Sequence, residues 1–297
     1  MRDYTEDQLR LLLSHVDDLC RRAEGGVICH TAFLTMREQI EVDRHIGSAG
    51  RKATVYWGGF EGSELSFVVS ISTEIRKTAD EYASKILGVL AVHGVVSNNI
   101  SGAIISSVVP PLNSTLKEAV KLLWGIEPLI VGPGIKTGIN IHCDTPSSVG
   151  ADLICACVAA HHIYGSPSLI IDMGTATKMM VVDSTGTFIG VSIIPGVSIS
   201  LKALASGTAQ LPQISLEAPK SVLGKNTIDC MRSGVVFGNA SLIDGMIDRF
   251  NDEMGQELKV YATGGLASSI ISHCKHDITL DEHLVLKGLN VMYNKNK

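Results

Sequence analysis

The stretch from Ser168 to Ile194 restricts the fold more than any other part of the chain. It carries three apolar runs, Ser168–Asp172, Lys178–Asp183 and Gly186–Ile194, joined by short turns containing Gly or Thr, and so reads as three consecutive strands. Helical spacing follows over Ser198–Ala205 and Asn226–Glu253, and then a strand over Lys259–Thr263 that stops at Gly264-Gly265. Three meandering strands continued by helix–strand units make an α/β half-molecule rather than a sandwich or a bundle.

Similar signals run earlier in the chain. Leu65–Ser72 alternates like a strand, and Thr78 stands where it would cap a helix carrying Ala83, Ile86, Leu87 and Leu90. Gly102–Val109 reads as a buried strand halted by Pro110-Pro111, a helix through Leu116, Ala119, Leu122 and Leu123 follows, and Gly150–His162 is an Ala-rich helix. This is the element order of the actin-like ATPase and sugar-kinase (ribonuclease H-like) fold. It predicts two related domains, 58–160 and 161–297, after an atypical segment, 1–57. Within that segment an amphipathic helix is expected over residues 4–24, with Thr5 and Gln8 as a capping box, while residues 26–57 show no clear period.

Composition narrows the function. The 297 residues are 45% hydrophobic and 19% charged, which suits a globular chain with room for two cores. A net charge of −5 points to neither nucleic acid nor a membrane surface, and the apolar runs are far too short to span a bilayer. The N-terminus has no apolar signal-peptide centre, so a cytoplasmic location is expected. None of the seven cysteines forms a CxxC pair, which favours reduced thiols over a zinc site.

Three short motifs carry chemistry. In Asp172-Met-Gly-Thr-Ala-Thr177, Gly174 allows close backbone approach to a phosphate, Thr175 and Thr177 offer hydroxyls, and Asp172 can hold a cation. The same residues are common in plain hairpin turns. Thr263-Gly-Gly-Leu266 closes a strand and opens a helix; Gly264 and Gly265 either admit a nucleotide or form a tight turn. Asp152, in the first turn of the Ala-rich helix, is placed for capping or for orienting and deprotonating a substrate hydroxyl. Gly132–Gly138 is not a phosphate loop of the Walker type, since Ile135 stands where Gly must precede Lys136.

Taken together, Lys77–Tyr82, Ser106–Leu112, Gly150-Ala-Asp152, Asp172–Thr177, Pro195-Gly-Val, Thr208–Pro212, Gly224–Thr227 and Ala262–Leu266 resemble the type III pantothenate kinases in order and spacing, over about four fifths of the chain. The resemblance implies a homodimer that phosphorylates pantothenate with ATP in the first step of coenzyme A synthesis, using Mg2+ and a monovalent cation, K+ or NH4+. By position it makes Asp152 the general base and Asp172 the monovalent-cation ligand. It places Thr175 on ATP and Gly150, Ala151, Leu153 and Thr227 on pantothenate.

The family opens with a strand and an Asp-x-Gly-Asn-Thr loop for ATP phosphates. Counted back from Phe60-Glu-Gly62, those places hold Ala49, Gly50, Arg51, Lys52 and Ala53, so the first strand and phosphate loop are replaced. An active kinase and a feeble one are both consistent with that change. An aromatic residue that usually precedes Asp144 is Cys143 here, and the Arg often found after the catalytic Asp is Leu153. Cys29–Gln39 and Tyr56–Glu64 resemble the N-terminal region of S4-type RNA-binding proteins of the bacterial cell-division cluster. That second resemblance makes an RNA-associated protein directed by its N-terminal segment the alternative to a kinase. Yet residues 1–57 hold nine acidic and eight basic side chains, which leaves no electrostatic footprint for RNA.

Overall fold

A computed structural model describes residues 30–42, 49–95 and 100–297, with side chains described from residue 54 onward except at Pro110. The helix expected over 4–24 lies outside the described residues.

The described residues begin with a long hairpin, β1 (His30–Val42) and β2 (Ala49–Glu61), and continue into β3 (Glu64–Ser72). Helix α1 (Ala79–Val92) starts at Thr78 as expected. The Glu81 amide donates to Thr78 Oγ1 at 3.3 Å, and the Thr78 amide donates to Glu81 Oε2 at 2.9 Å. Then come β4 (Ile100–Ser106), α2 (Asn113–Trp124), the short β5 (Leu129–Ile130) and β6 (Asn140–Ile141), and α3 (Ala151–Ala159), which ends in a π-helical turn over Ala160–Tyr164. The second part comprises β7 (Ser168–Met173), β8 (Ala176–Val182), β9 (Thr187–Pro195), α4 (Val197–Gly207), α5 (Thr227–Met254), β10 (Lys259–Thr263), α6 (Ala267–Ile271), β11 (Ile278–Leu280) and α7 (Leu284–Asn296).

The strands form two mixed sheets, ordered β3-β2-β1-β4-β5 and β11-β10-β7-β8-β9-β6. Apart from β6 at one edge, both have the same plan. A three-strand antiparallel meander is extended on the side of its first strand by two parallel strands. This duplicated plan is the actin-like, sugar-kinase fold that the element order predicts. The break in sequence character near residue 57 is not a break in the sheet. Strand β1 pairs antiparallel with β2 over Thr31–Val42 and in parallel with β4 over His30–Thr35, taking the central first-strand position.

Burial is layered. One face of the first sheet packs Val55, Trp57 and Val69 against Tyr82, Ile86 and Leu90 of α1 and Leu116 and Val120 of α2. Its other face shares a core with the second sheet. Phe60 and Ile104 from one sheet and Ile170, Met180 and Phe188 from the other enclose α3 and α7. The outer face of the second sheet is closed by α5 through Val235, Val236, Ile243 and Ile247. The contact between α3 and α7 is close because Gly288 has no side chain; a Cβ there would collide with the Cys155 carbonyl.

Candidate active site

Two strand ends and one helix start converge at the site. β7 and β10 run parallel with Asp172 level with Thr263, so the two glycine-bearing motifs, about 90 residues apart in sequence, emerge side by side. The approach is tight: Gly264 has φ +103, and a Cβ on it would lie 2.6 Å from the Met173 carbonyl carbon and oxygen. Thr263 is fully buried. The segment after β9 closes on the same turn, because a side chain at Gly196 would run into the Thr175 carbonyl. The helix after Gly264-Gly265 is a single short turn of five residues.

The hairpin between β7 and β8 supplies charge. Around the turn Gly174–Ala176, Asp172 is the cross-strand partner of Lys178, on the same face of the sheet. Lys178 Nζ donates to Asp172 Oδ2 at 3.4 Å and to Asp152 Oδ2 at 2.9 Å. Both carboxylates are buried, Asp152 being 5% and Asp172 2% exposed. Burial pulls the Lys178 ammonium toward deprotonation, but attraction to Asp152 and then to Asp172 outweighs it, and its pKa is raised above the usual lysine value. Lys178 is the residue that the motif reading passed over. It could have been found by reflecting the strands about Gly174–Ala176.

Asp152 sits in the first turn of α3, where the helix dipole favours a carboxylate, and Gly150 precedes the helix with no side-chain cap. The lack of a side chain at Gly150 keeps space open at the second oxygen, since a Cβ there would stand 2.6 Å from Asp152 Oδ1. Oδ1 makes no hydrogen bond among the described residues, whereas Oδ2 is held by Lys178. Asp152 is therefore not a helix cap turned back on its own amides.

The remaining residues singled out in the sequence divide. Ala151 flanks Asp152 and is half-buried. Leu153, 7% exposed, packs its side chain into the core between the sheets, which leaves its backbone as the part next to Asp152. Gly174 and Thr175 form the turn beside Asp172, and Gly265 is exposed next to Gly264. Thr177 is buried on the opposite face of the sheet from Asp172 and Lys178, as strand alternation requires, and its hydroxyl has no hydrogen-bond partner among the described residues. Thr227 opens α5 behind the N-cap Asn226, exposed, with no hydrogen bond to the carboxylates among the described residues.

Positions 49–53, which by count match the family's first phosphate loop, lie within β2. Gly50 pairs with Glu41, Arg51 with Ile40 and Lys52 with Gln39. Amides of an extended strand point alternately to its two edges and cannot converge on one phosphate. Among the described residues no group of three or more His, Cys, Asp or Glu is placed to hold a metal ion. The two site carboxylates face one ammonium, that of Lys178. The groove lined by Ile135–Asn140, His161, Thr185 and Gly186, about 370 Å³ in volume, does not include either carboxylate.

Comparison with known proteins agrees with this architecture. A protein from Sinorhizobium meliloti assigned as a 2-dehydro-3-deoxygalactonokinase superposes with a TM-score of 0.51 at 11% identity, covering 89% of this chain and 96% of its own. The ethanolamine utilization protein EutJ from Carboxydothermus hydrogenoformans gives 0.50 at 12% identity, over 96% and 98%. A Baf-family protein from Campylobacter jejuni described as a transcriptional activator gives 0.50 at 18% identity, over 81% and 94%. These likenesses show the fold. The sequence profile of type III pantothenate kinase matches residues 53–249, two thirds of the chain, starting at the last position of the replaced loop. The chain belongs to the type III pantothenate kinase family.

Proposed function

We propose that the protein transfers the γ-phosphoryl group of ATP to the primary hydroxyl of pantothenate, with low turnover. The observation that carries this reading is the state of Asp152. It is a buried carboxylate at a helix start with one oxygen fixed by Lys178 and the other without a hydrogen bond among the described residues, beside the paired motif turns. Oδ1 is placed to take the hydroxyl proton as the oxygen attacks phosphorus, and fixation of Oδ2 by the ammonium sets the direction of that oxygen. The turn over Gly174 and Thr175, with Gly264 and Gly265, forms the nucleotide side of the site; Gly150 and Ala151 form the pantothenate side. Magnesium enters with ATP as part of the substrate, and no step is assigned to a protein-held divalent ion.

The division into lobes at about residue 160 and a homodimer belong to the same proposal. Ile189, Val191 and Ile193 of β9 lie exposed on one side of that strand and offer an apolar face. The test is a coupled assay of ADP release with ATP and pantothenate. Release that depends on pantothenate, slow by the standard of relatives with an intact first loop, supports the reading. ADP release indifferent to pantothenate overturns it.

A further inference from the structure

We propose that the Lys178 ammonium takes the place of the monovalent cation at Asp172, so that the reaction in this chain runs without potassium. The inference rests on the pantothenate-kinase reading, because that family resemblance is what assigns a potassium or ammonium ion to Asp172.

The residues present do not fit such an ion. Lys178 comes from the strand neighbouring Asp172 and in register with it, so its side chain is delivered to that carboxylate by the sheet itself. Its ammonium stands 3.4 Å from Asp172 Oδ2 and 2.9 Å from Asp152 Oδ2. A second cation on Asp172 would meet this fixed positive charge at close range in a site shielded from water, where like charges repel strongly. Lys178 already brings one positive charge to both buried carboxylates. Asp152 keeps Oδ1, which makes no hydrogen bond among the described residues, as the proton acceptor, and its place in the first turn of α3 favours a carboxylate there independently. A tethered ammonium also costs no ion-binding step.

The experiment compares wild type with Lys178→Ala and Lys178→Thr in potassium, ammonium and choline chloride at one ionic strength, reading ADP release and melting temperature. Wild type is expected to show rates within about two-fold in potassium and choline, and the same melting temperature. In choline, both variants should melt about 10 °C lower, because a buried charge loses its partner. Potassium or ammonium should recover much of that loss and raise their rates by about tenfold or more over choline. If Lys178→Ala does not fold, the hydroxyl of Lys178→Thr gives the ion a ligand and the same comparison decides. A wild type that is activated about tenfold or stabilised by potassium over choline overturns the proposal, as do variants blind to the cation. If no protein releases ADP in any salt, the functional reading fails, and the melting comparison alone decides the charge assignment.

Discussion

The two oxygens of Asp152 face different surroundings, Oδ2 the Lys178 ammonium and Oδ1 the space left by Gly150. Asp152→Asn keeps the shape and an oxygen for Lys178 but cannot accept a proton. The variant should melt close to wild type and lose about 10²–10⁴-fold in turnover; ADP-release kinetics beside thermal unfolding would show it, and turnover within a factor of about two of wild type would remove Asp152 from the chemistry. At this scale the sequence was partly legible. Asp152, Asp172 and the two glycine turns stood out because their residue types sit at element boundaries with helix or strand periodicity on either side. The Lys178–Asp152 contact did not, because it joins a strand to a helix start 26 residues away through tertiary packing. The burial of the Leu153 side chain was illegible for a related reason: the helix lies between two sheets, so its first turn is covered on the side that Leu153 faces.

Hairpin β1–β2 decides how well an ATP-binding cleft can be completed. In the second half the equivalent hairpin, β7–β8, turns over three residues and presents Asp172 and Lys178 at its mouth. In the first half the ladder runs on to Val42 opposite Ala49, through the positions where backbone amides would otherwise hold phosphate. Losing several charge-assisted hydrogen bonds at about 1.5–3 kcal/mol each weakens transition-state binding by several powers of ten. Replacing residues 1–57 by a strand ending in an Asp-x-Gly-Asn-Thr loop should therefore raise turnover by about 10²-fold or more. If the unaltered chain already matches intact relatives in kcat/KM, the hairpin holds phosphate by other means. The longer elements between Leu65 and Thr263 were readable because each switches cleanly between period-two and helical spacing, whereas the short strands Leu129–Ile130, Asn140–Ile141 and Ile278–Leu280 and the last helix were not picked out. β1 was not, since Arg37-Glu38-Gln39 interrupts any apolar alternation. Its strand character depends on pairing with β2 and β4 on both sides and not on its own pattern.

At the scale of the whole molecule, both sheets close on one shared layer, α3 with α7, so the two halves cannot separate without exposing it. The homodimer belongs to this scale as well: light scattering should return about twice the 31.6 kDa chain mass, and Ile193→Glu on the exposed face of β9 should return the monomer value if that face is the contact. The shared layer itself can be tested through its thiols. Cys155 and Cys157 are fully buried in α3, and Cys155 donates to the Met292 thioether of α7 at 3.7 Å. Loss of hydration pushes the Cys155 thiol up to about 12 and that of Cys157 further still. In the unfolded chain both titrate near 8.5. A thiol that keeps its proton longer in the fold contributes fully to stability below the unfolded value, and that contribution is lost as pH rises toward the folded one. Between about pH 9 and 10 each such thiol should remove on the order of 1 kcal/mol of stability. Urea midpoints measured from pH 7 to 10 should thus fall more steeply for wild type than for Cys155→Ala/Cys157→Ala, even though the double variant starts from a lower midpoint. Equal slopes would mean that water reaches α3 in the native state, and that the layer joining the halves opens without unfolding.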